Sequence, residues 1–336
     1  MYEAAISFPM LGDNFSINPP TYFNLFGLRI YYYGVITAIA LVIGVIYCIK
    51  RNRDFGIRED NFLDIVLIAV PSAVIGARIL FVLTNPDMYF APGKWAEIPK
   101  IWKGGLAIYG GLALAVICIL LYCRKKKISF GAVLDNISLG LMLGQVIGRW
   151  GNFINRELYG TETRVFCKMG LTLNHKTTYV HPVFLYESLW NLLGFVLLHL
   201  FSKKYRKFNG QLFLMYIAWY GLGRTFIDGL RVDVVKIIGE SIGAYQLIAL
   251  VSFCAAAVAL VLLLGKHRDD PYLTVPAVGS ADEAADKAAD EAVADAAEEA
   301  AEEAAEVVEE TVSEAVEDRQ TQSEQSADNA DADIKE

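Results

Sequence analysis

Residues 243–265, GAYQLIALVSFCAAAVALVLLLG, form an apolar run that contains no Asp, Glu, Lys or Arg. A helix needs roughly 20 consecutive apolar residues to cross the hydrocarbon core of a bilayer. This run is long enough to do so, and its lack of charge means that no ionised side chain has to enter lipid. It therefore predicts a transmembrane helix.

Similar runs recur throughout the chain before residue 243. They lie near residues 28–49, 61–83, 105–123, 131–150, 182–201 and 210–229. Only helices and closed barrels satisfy every backbone polar group within lipid, and runs of this length favour helices. We expect an all-α polytopic membrane protein with about seven transmembrane helices.

The linkers between these runs alternate in charge, which predicts the orientation of the chain. Basic residues are dense after the first, third, fifth and seventh runs: Lys50, Arg51, Arg53, Arg58, Arg124 to Lys127, Lys203, Lys204, Arg206, Lys207, Lys266 and Arg268. Linkers rich in Lys and Arg stay in the cytoplasm. The rule puts the N-terminus outside and the C-terminus in the cytoplasm.

The net charge of −8 is an average over two dissimilar parts. From residue 281 onward the chain holds 21 Asp and Glu against 3 Lys and Arg, so the remainder carries a net +10. We expect a seven-helix transmembrane domain over residues 1–274, with an outer loop at 151–181, and a disordered acidic cytoplasmic tail over 275–336. The N-terminus does not resemble a cleaved signal peptide.

The five cysteines form no CxxC or Cys/His pattern, so we expect neither a disulfide framework nor a metal site. No cofactor and no nucleic-acid partner are expected. The oligomeric state is left open by the sequence.

Ionisable and tyrosine side chains within the runs gather near one membrane face. With the orientation above, the outer ends of the spans carry Tyr33, Arg78, Tyr109, Arg149, His181, Glu187, Arg224 and Asp228. Asp135 is the exception, on the cytoplasmic side. Buried charges are costly and mark functional sites, although Arg224 and Asp228 could simply neutralise each other as an i,i+4 pair.

The fourth run ends in an abrupt change of composition. Gly140, Gly144 and Gly148 follow one helix stripe, which allows close approach of a neighbouring backbone. Packing does not explain the segment that follows, GRWGNFINRELYG at residues 148–160, where arginines, amides and a carboxylate crowd the interface. The planar guanidinium group of arginine can bind a phosphate through two parallel hydrogen bonds.

This segment resembles the signature of the bacterial prolipoprotein diacylglyceryl transferase family, GRxGNFxNxExxG, at every fixed position. Further landmarks of the family occur in order: YG at 33–34, GxR at 76–78, GGxxxxGG at 104–111, HPxxLYE at 181–187 and YGxxR at 220–224. The resemblance covers about residues 15–265. It implies a multi-pass enzyme of the bacterial inner membrane with its active site facing outward.

The resemblance also implies the reaction and its participants. Members of the family move the diacylglyceryl group of phosphatidylglycerol to the lipobox cysteine thiol of a prolipoprotein signal peptide, which releases glycerol phosphate. Family function carries over to the positions that match its motifs: Arg149, Asn152, Glu157, Gly160, Tyr33, Tyr220 and Arg224. Our candidate catalytic residues are Arg149, Arg224, Tyr109, Glu157 and Asp228. Our candidate substrate-binding residues are Arg149, Asn152, Gly160, Tyr33, Tyr220, Arg78 and His181.

Two positions depart from the family pattern. Many relatives have His where this chain has Tyr109, and Glu where it has Asp228. A tyrosine is rarely ionised near neutrality, so we expect Tyr109 to act as a hydrogen-bonding group, with Glu157 or Asp228 as the proton acceptor. His181 could act as a base, or it could have only a structural role at the start of a helix, before a proline. Glu187 is expected to anchor its helix to an arginine, with Arg78 as the suggested partner.

Two other functional classes fit the sequence less well. A transporter also buries charges, but it predicts polar residues at mid-membrane and two related halves, which the sequence does not display. An intramembrane serine protease is disfavoured because no serine lies in a GxSxG-type turn with a histidine partner.

Overall fold

The computed structural model describes residues 5–12, 15–90, 94–173, 176–232, 236–238 and 242–273, and these are mostly helical. The acidic tail expected over 275–336 lies outside the described residues. The α-helices within the described ranges are α1 (Tyr32–Arg51), α2 (Glu59–Thr84), α3 (Pro86–Tyr89), α4 (Ile108–Lys126), α5 (Phe130–Asn155), α6 (Val183–Ser202), α7 (Gln211–Ile227) and α8 (Ala244–Lys266).

Six of these helices are long and apolar enough to cross a membrane, as judged by length and composition: α1, α2, α4, α5, α6 and α8. They identify the chain as a polytopic membrane protein. Helix α7 corresponds to the sixth apolar run, but with 17 residues it is shorter than the six. The prediction of a helix is confirmed for all seven runs, and six of these helices are candidate membrane spans.

Short strands accompany the helices, so the prediction of an all-α fold was incomplete. The strands in the described ranges are β1 (Ala5–Ser7), β2 (Ser16–Ile17), β3 (Tyr22–Leu25), β4 (Leu28–Tyr31), β5 (Met169–Leu173), β6 (Lys176–Val180), β7 (Lys236–Ile238) and β8 (Ile242–Gly243). They form a four-stranded sheet of order β2-β1-β5-β6 and two two-stranded sheets, β3-β4 and β7-β8. Segments of two to five residues are too short to show a reliable alternating pattern.

Helix α5 is the centre of the bundle. It packs against α1, α6 and α7, while α2 packs against α4 and α8 against α7. The glycine stripe explains the α1–α5 contact, because a Cβ added at Gly44 would lie 2.9 Å from the carbonyl oxygen of Gly140. Gly144 faces Ala40 at ordinary contact distance, whereas Gly148 faces open space.

The two ends of the bundle differ in their secondary structure. We call the end that carries β1, β2, β5 and β6 the sheet end; there α5 and α7 finish and α1, α4, α6 and α8 begin. We call the other the basic end, because the linkers after α1, α4 and α6 lie there with their Lys and Arg residues. The functional candidates named above lie at the sheet end.

Asp135 lies at the basic end and has a structural role. Its carboxylate accepts hydrogen bonds from the backbone N–H groups of Gly210 (2.8 Å) and Phe213 (2.9 Å), so it caps the first turn of α7. A carboxylate at a helix N-terminus also complements the helix dipole. This accounts for the buried charge that the orientation put on the cytoplasmic side.

A second polar network at the basic end is centred on Arg51, at the end of α1. Its guanidinium contacts the Asp54 carboxylate and donates to Tyr47 Oη (3.1 Å), His199 Nδ1 (2.8 Å) and Ser202 Oγ (2.9 Å). Nε, Nη1 and Nη2 are thus all in use. The network joins α1 to α6.

Candidate functional site

Three helices bring the buried charges together at the sheet end. Arg149 lies in the penultimate turn of α5, Arg224 in the last turn of α7, and Glu187 in the second turn of α6. Helices α5 and α6 run antiparallel. The hydroxyl of Ser188, the residue after Glu187, donates to the carbonyl of Val146, one turn before Arg149 (3.0 Å). This bond holds the Glu187 region of α6 against α5.

These side chains form a continuous series of ion pairs. Glu187 Oε2 contacts Arg149 Nη2, and Glu187 Oε1 lies 3.1 Å from Arg224 Nη1. Arg224 Nη2 lies 3.1 Å from Asp228 Oδ2, and Asp228 Oδ1 lies 3.4 Å from Arg231 Nη1. We call these five residues the arginine–carboxylate chain.

The carboxylates of this chain are more deeply buried than its arginines. The side chains of Glu187 and Asp228 are 3% and 2% exposed, while those of Arg149 and Arg224 are each 16% exposed. Buried charges persist only when they are paired and hydrogen-bonded. The two carboxylates therefore fix the arginines from the buried side of the cluster. The arginines form the accessible part of the cluster.

The guanidinium groups of Arg149 and Arg224 have N–H donors that no described contact uses. A guanidinium has five N–H donors. Within the part of the chain that the structure describes, Arg149 contacts one carboxylate oxygen and Arg224 contacts two. Both groups therefore have donors that could bind the oxygens of an anionic ligand.

The signature segment continues from α5 into a compact turn. Asn152 Nδ2 donates to Glu157 Oε1 (2.8 Å), and Asn155 Nδ2 lies 3.4 Å from the same oxygen. Glu157 is exposed, and these amide contacts leave its Oε2 open. Arg156 ends α5 in the left-handed conformation (φ 56°) and donates to Asn18 Oδ1 (2.6 Å), and burial lowers its pKa. The segment is thereby tied to the N-terminal region.

Gly160 and His181 meet where the segment returns to the bundle. The backbone N–H of Gly160 donates to the His181 carbonyl (3.0 Å), and that of His181 to the Thr161 carbonyl (3.1 Å). A Cβ at Gly160 would lie 2.6 Å from His181 Cβ and 2.8 Å from the Leu230 carbonyl oxygen, so only glycine fits. The His181 ring contacts Tyr186 Oη through Nδ1 (3.2 Å).

The three tyrosines named by the sequence differ in their surroundings. The Tyr33 ring packs over Gly151, where a Cβ would approach it to 2.8 Å. Tyr220 lines a small cavity together with Glu187, Trp190 and Arg224. Tyr109, in the first turn of α4, is 55% exposed and makes no hydrogen bond among the described residues.

Arg78 lies apart from the arginine–carboxylate chain. It is 6% exposed and donates to the carbonyls of Glu97 (2.8 Å), Ile98 (2.7 Å), Gly104 (2.8 Å) and Gly105 (2.9 Å). The suggestion that Glu187 pairs with Arg78 is therefore wrong: Glu187 pairs with Arg149 and Arg224. Hydropathy gives the depth of a residue in the membrane but not which helices are neighbours, so the partner could not be chosen from sequence.

Two features of the site were missed by sequence reasoning. Arg231 follows Asp228 by three residues, a spacing that permits an ion pair at the end of a helix, and it extends the chain of charges. The second is a pair of stacked tryptophans, Trp190 of α6 and Trp219 of α7, of which Trp190 lies one turn after Glu187. Within the described ranges, no group of three or more His, Cys, Asp or Glu residues is placed to hold a metal ion.

Comparison with known proteins gives consistent matches over most of the chain. The model of a family described as prolipoprotein diacylglyceryl transferase matches residues 20–262. Three relatives named phosphatidylglycerol–prolipoprotein diacylglyceryl transferase illustrate the similarity. The Finegoldia magna protein is 41% identical over 246 residues, which cover 73% of this chain and 94% of the relative. The Clostridioides difficile protein is 38% identical over 248 residues (74% and 96%), and the Listeria welshimeri protein 38% over 231 (66% and 82%).

Proposed function

This chain belongs to the prolipoprotein diacylglyceryl transferase family, and we propose that the arginine–carboxylate chain is where it carries out the transfer. The enzyme moves the diacylglyceryl group of phosphatidylglycerol to the cysteine thiol of a prolipoprotein, the first step of lipoprotein maturation. Its substrates are an anionic lipid and a signal peptide with a lipobox cysteine.

The observation that carries this proposal is the sharing of one carboxylate by two arginines from different helices. Glu187 fixes Arg149 of α5 and Arg224 of α7 side by side, and each guanidinium retains donors. Guanidinium–phosphate bonds are charge-assisted and often bidentate. A phosphate that entered beside Glu187 could therefore be held by both arginines at once.

The same arginines suit the chemistry of the reaction. The cysteine sulfur forms a bond to the glycerol carbon while the bond between that carbon and the phosphate oxygen breaks. Glycerol phosphate then leaves with the bonding electrons, and the thiol proton passes to a base. Negative charge grows on the departing phosphate, so donors fixed in advance stabilise the transition state more than the ground state.

Glu157 is better placed than Asp228 to accept the thiol proton. Both oxygens of Asp228 face arginines, whereas Glu157 is exposed and its described hydrogen bonds use only Oε1. A small fraction of cysteine thiol is already ionised near neutrality, and nearby arginines would increase it. A strong base is therefore not required, and Tyr109 would serve as a hydrogen-bond donor.

The remaining candidates contribute to the same site in different ways. Asn152 and His181 would add neutral hydrogen-bonding groups, and Tyr33 and Tyr220 would orient the headgroup or the peptide. Arg78 and Gly160 would act through the loops that they hold together. No metal or cofactor enters this scheme.

The proposal includes the membrane topology. Seven spans, with α7 as the sixth, would put the N-terminus outside and the basic end in the cytoplasm of a bacterial inner membrane. The sheet end would then face outward. Cysteine introduced at the exposed positions Thr161 and Lys126, in a chain otherwise free of cysteine, tests this with a membrane-impermeant maleimide. We expect labelling at 161 in intact cells and at 126 only after permeabilisation; the reverse pattern would refute the orientation.

The activity is tested with purified protein, phosphatidylglycerol and a lipobox peptide, read as the mass gain of a thioether-linked diacylglyceryl group. Wild type should give product and Arg149→Ala should give less by a factor of about 10² to 10³. Arg164→Ala, an exposed arginine at the same end, is the matched control and should retain full activity. Equal product from wild type and Arg149→Ala would remove the proposed site.

A further inference from the structure

Helices α6 and α7 carry the same short pattern, a tryptophan followed four residues later by a glycine. It reads WNLLG at residues 190–194 and WYGLG at residues 219–223. In the structure the two patterns lie against each other across the α6–α7 interface. The contacts between them are reciprocal.

Each tryptophan donates to the backbone of the other. Trp190 Nε1 donates to the Trp219 carbonyl (3.0 Å), and Trp219 Nε1 donates to the Trp190 carbonyl (3.0 Å). The indole rings stack with centroids 4.4 Å apart and planes inclined by 19°. The indole N–H needs a partner in an apolar environment, and the second lone pair of a helix carbonyl provides it.

The glycines make room for the rings. A Cβ added at Gly223 would collide with the Trp190 indole, and one added at Gly194 would collide with the Trp219 indole. Small residues at membrane helix interfaces allow this kind of close approach. We call these four residues the tryptophan lock.

The lock determines the register of α6 against α7. A register shift of one residue moves a helix about 1.5 Å along its axis and turns its facing side chains by about 100°. Such a shift would break both hydrogen bonds and displace both rings from their glycines. Glu187 lies one turn before Trp190, and Arg224 directly follows Gly223. The 3.1 Å contact between Glu187 and Arg224 depends on this register.

We propose that the tryptophan lock positions charged groups for the transfer reaction. Trp190 and Trp219 hold Arg224 in contact with Glu187, which in turn contacts Arg149. This inference rests on the proposed function of the arginine–carboxylate chain and adds residues that need not touch the reacting atoms. Trp190 also lines the cavity beside Glu187, Tyr220 and Arg224, so its displacement alters the cavity directly.

The test compares Trp190→Phe, Trp219→Phe and Gly223→Ala with wild type in the full chain. We expect kcat per folded enzyme to fall about tenfold in each variant, because small displacements of charged groups are costly to catalysis. KM for phosphatidylglycerol should change less than about threefold, because both arginines remain to attract the lipid. A lock that only supports folding would lower the thermal midpoint and leave kcat unchanged.

Gly44→Ala is the matched control. It introduces a Cβ into the close α1–α5 contact, 2.9 Å from the Gly140 carbonyl oxygen, and leaves the lock intact. It should lower thermal stability without changing kcat of the folded fraction. Unchanged kcat in the lock variants, or an equal loss in Gly44→Ala, would overturn the proposal.

A spectroscopic measurement covers the case in which a variant does not fold. Two stacked indoles give an exciton couplet in the far-ultraviolet circular dichroism of the wild type, and either Trp→Phe substitution should abolish it. A wild type without the couplet would overturn the lock. Loss of activity in Arg149→Ala with intact activity in the lock variants would refute this inference alone, whereas an active Arg149→Ala would refute the proposed function.

Discussion

The two ends of the bundle both bury arginine, yet they use it differently. At the basic end, Arg51 has Nε, Nη1 and Nη2 all engaged by Asp54, Tyr47, His199 and Ser202. At the sheet end, the described contacts of Arg149 and Arg224 go only to carboxylates that they share with other arginines. The described bonds of Arg51 use all three of its nitrogens and four of its five N–H donors, whereas Arg149 uses one donor and Arg224 uses two.

This difference separates a structural role from a binding role. An arginine whose nitrogens are all satisfied internally joins elements together, and a ligand could reach it only by breaking those bonds. An arginine whose guanidinium contacts only carboxylates on one side has a fixed orientation and can still bind a ligand with its other N–H groups. By this criterion Arg78, with four carbonyl partners, belongs with Arg51.

The strongest test of this comparison is Arg224→Ala beside Arg224→Lys. The alanine variant should lose activity by a factor of about 10² to 10³, because a donor to the developing phosphate charge is removed. The lysine variant keeps the charge but lacks the planar fork, so it should recover only part of the loss. Initial rates in the mass-shift assay measure both.

Full activity in Arg224→Lys would show that charge alone is needed and that the bidentate geometry has no part. Full activity in Arg224→Ala would remove Arg224 from the mechanism.

A smaller effect on turnover, with a larger one on stability, is expected for Arg51→Ala. Removing one partner of a buried ion pair costs about 3 to 5 kcal/mol of unfolding free energy, and Asp54, His199 and Ser202 would all lose a contact. The activity of the folded fraction should stay within about twofold of wild type. Thermal unfolding in detergent, together with activity per folded molecule, measures the two quantities.

An Arg51→Ala variant of normal stability but low activity would reverse the comparison, because the basic end would then take part in the reaction.

The smallest effect is expected from truncation after Thr274. The sequence beyond this point is rich in Ala and Glu and lacks aromatic residues, and it lies outside the region matched by the family. We expect wild-type transferase activity and normal membrane insertion. An inserted but inactive truncation would contradict this, and in-gel quantification of the membrane fraction distinguishes the two cases.

The sequence predicted at which end of the bundle each polar residue lies, because the bounds of an apolar run give the position of a residue along its helix. Arg149 and Arg224 were expected on one face, and they contact the same carboxylate. The pairing itself was not predictable, since Arg78 has a similar depth but a different neighbourhood. The strand β1 is only three residues long and pairs with β5 far along the chain, so no local pattern indicates it.

The most direct test of the central claim is an experimental structure of the full chain with phosphatidylglycerol bound. The account predicts that phosphate oxygens of one lipid lie within hydrogen-bond distance, about 2.7 to 3.2 Å, of both Arg149 and Arg224. A headgroup phosphate bound by neither arginine, or by Arg51 or Arg78 instead, would contradict it.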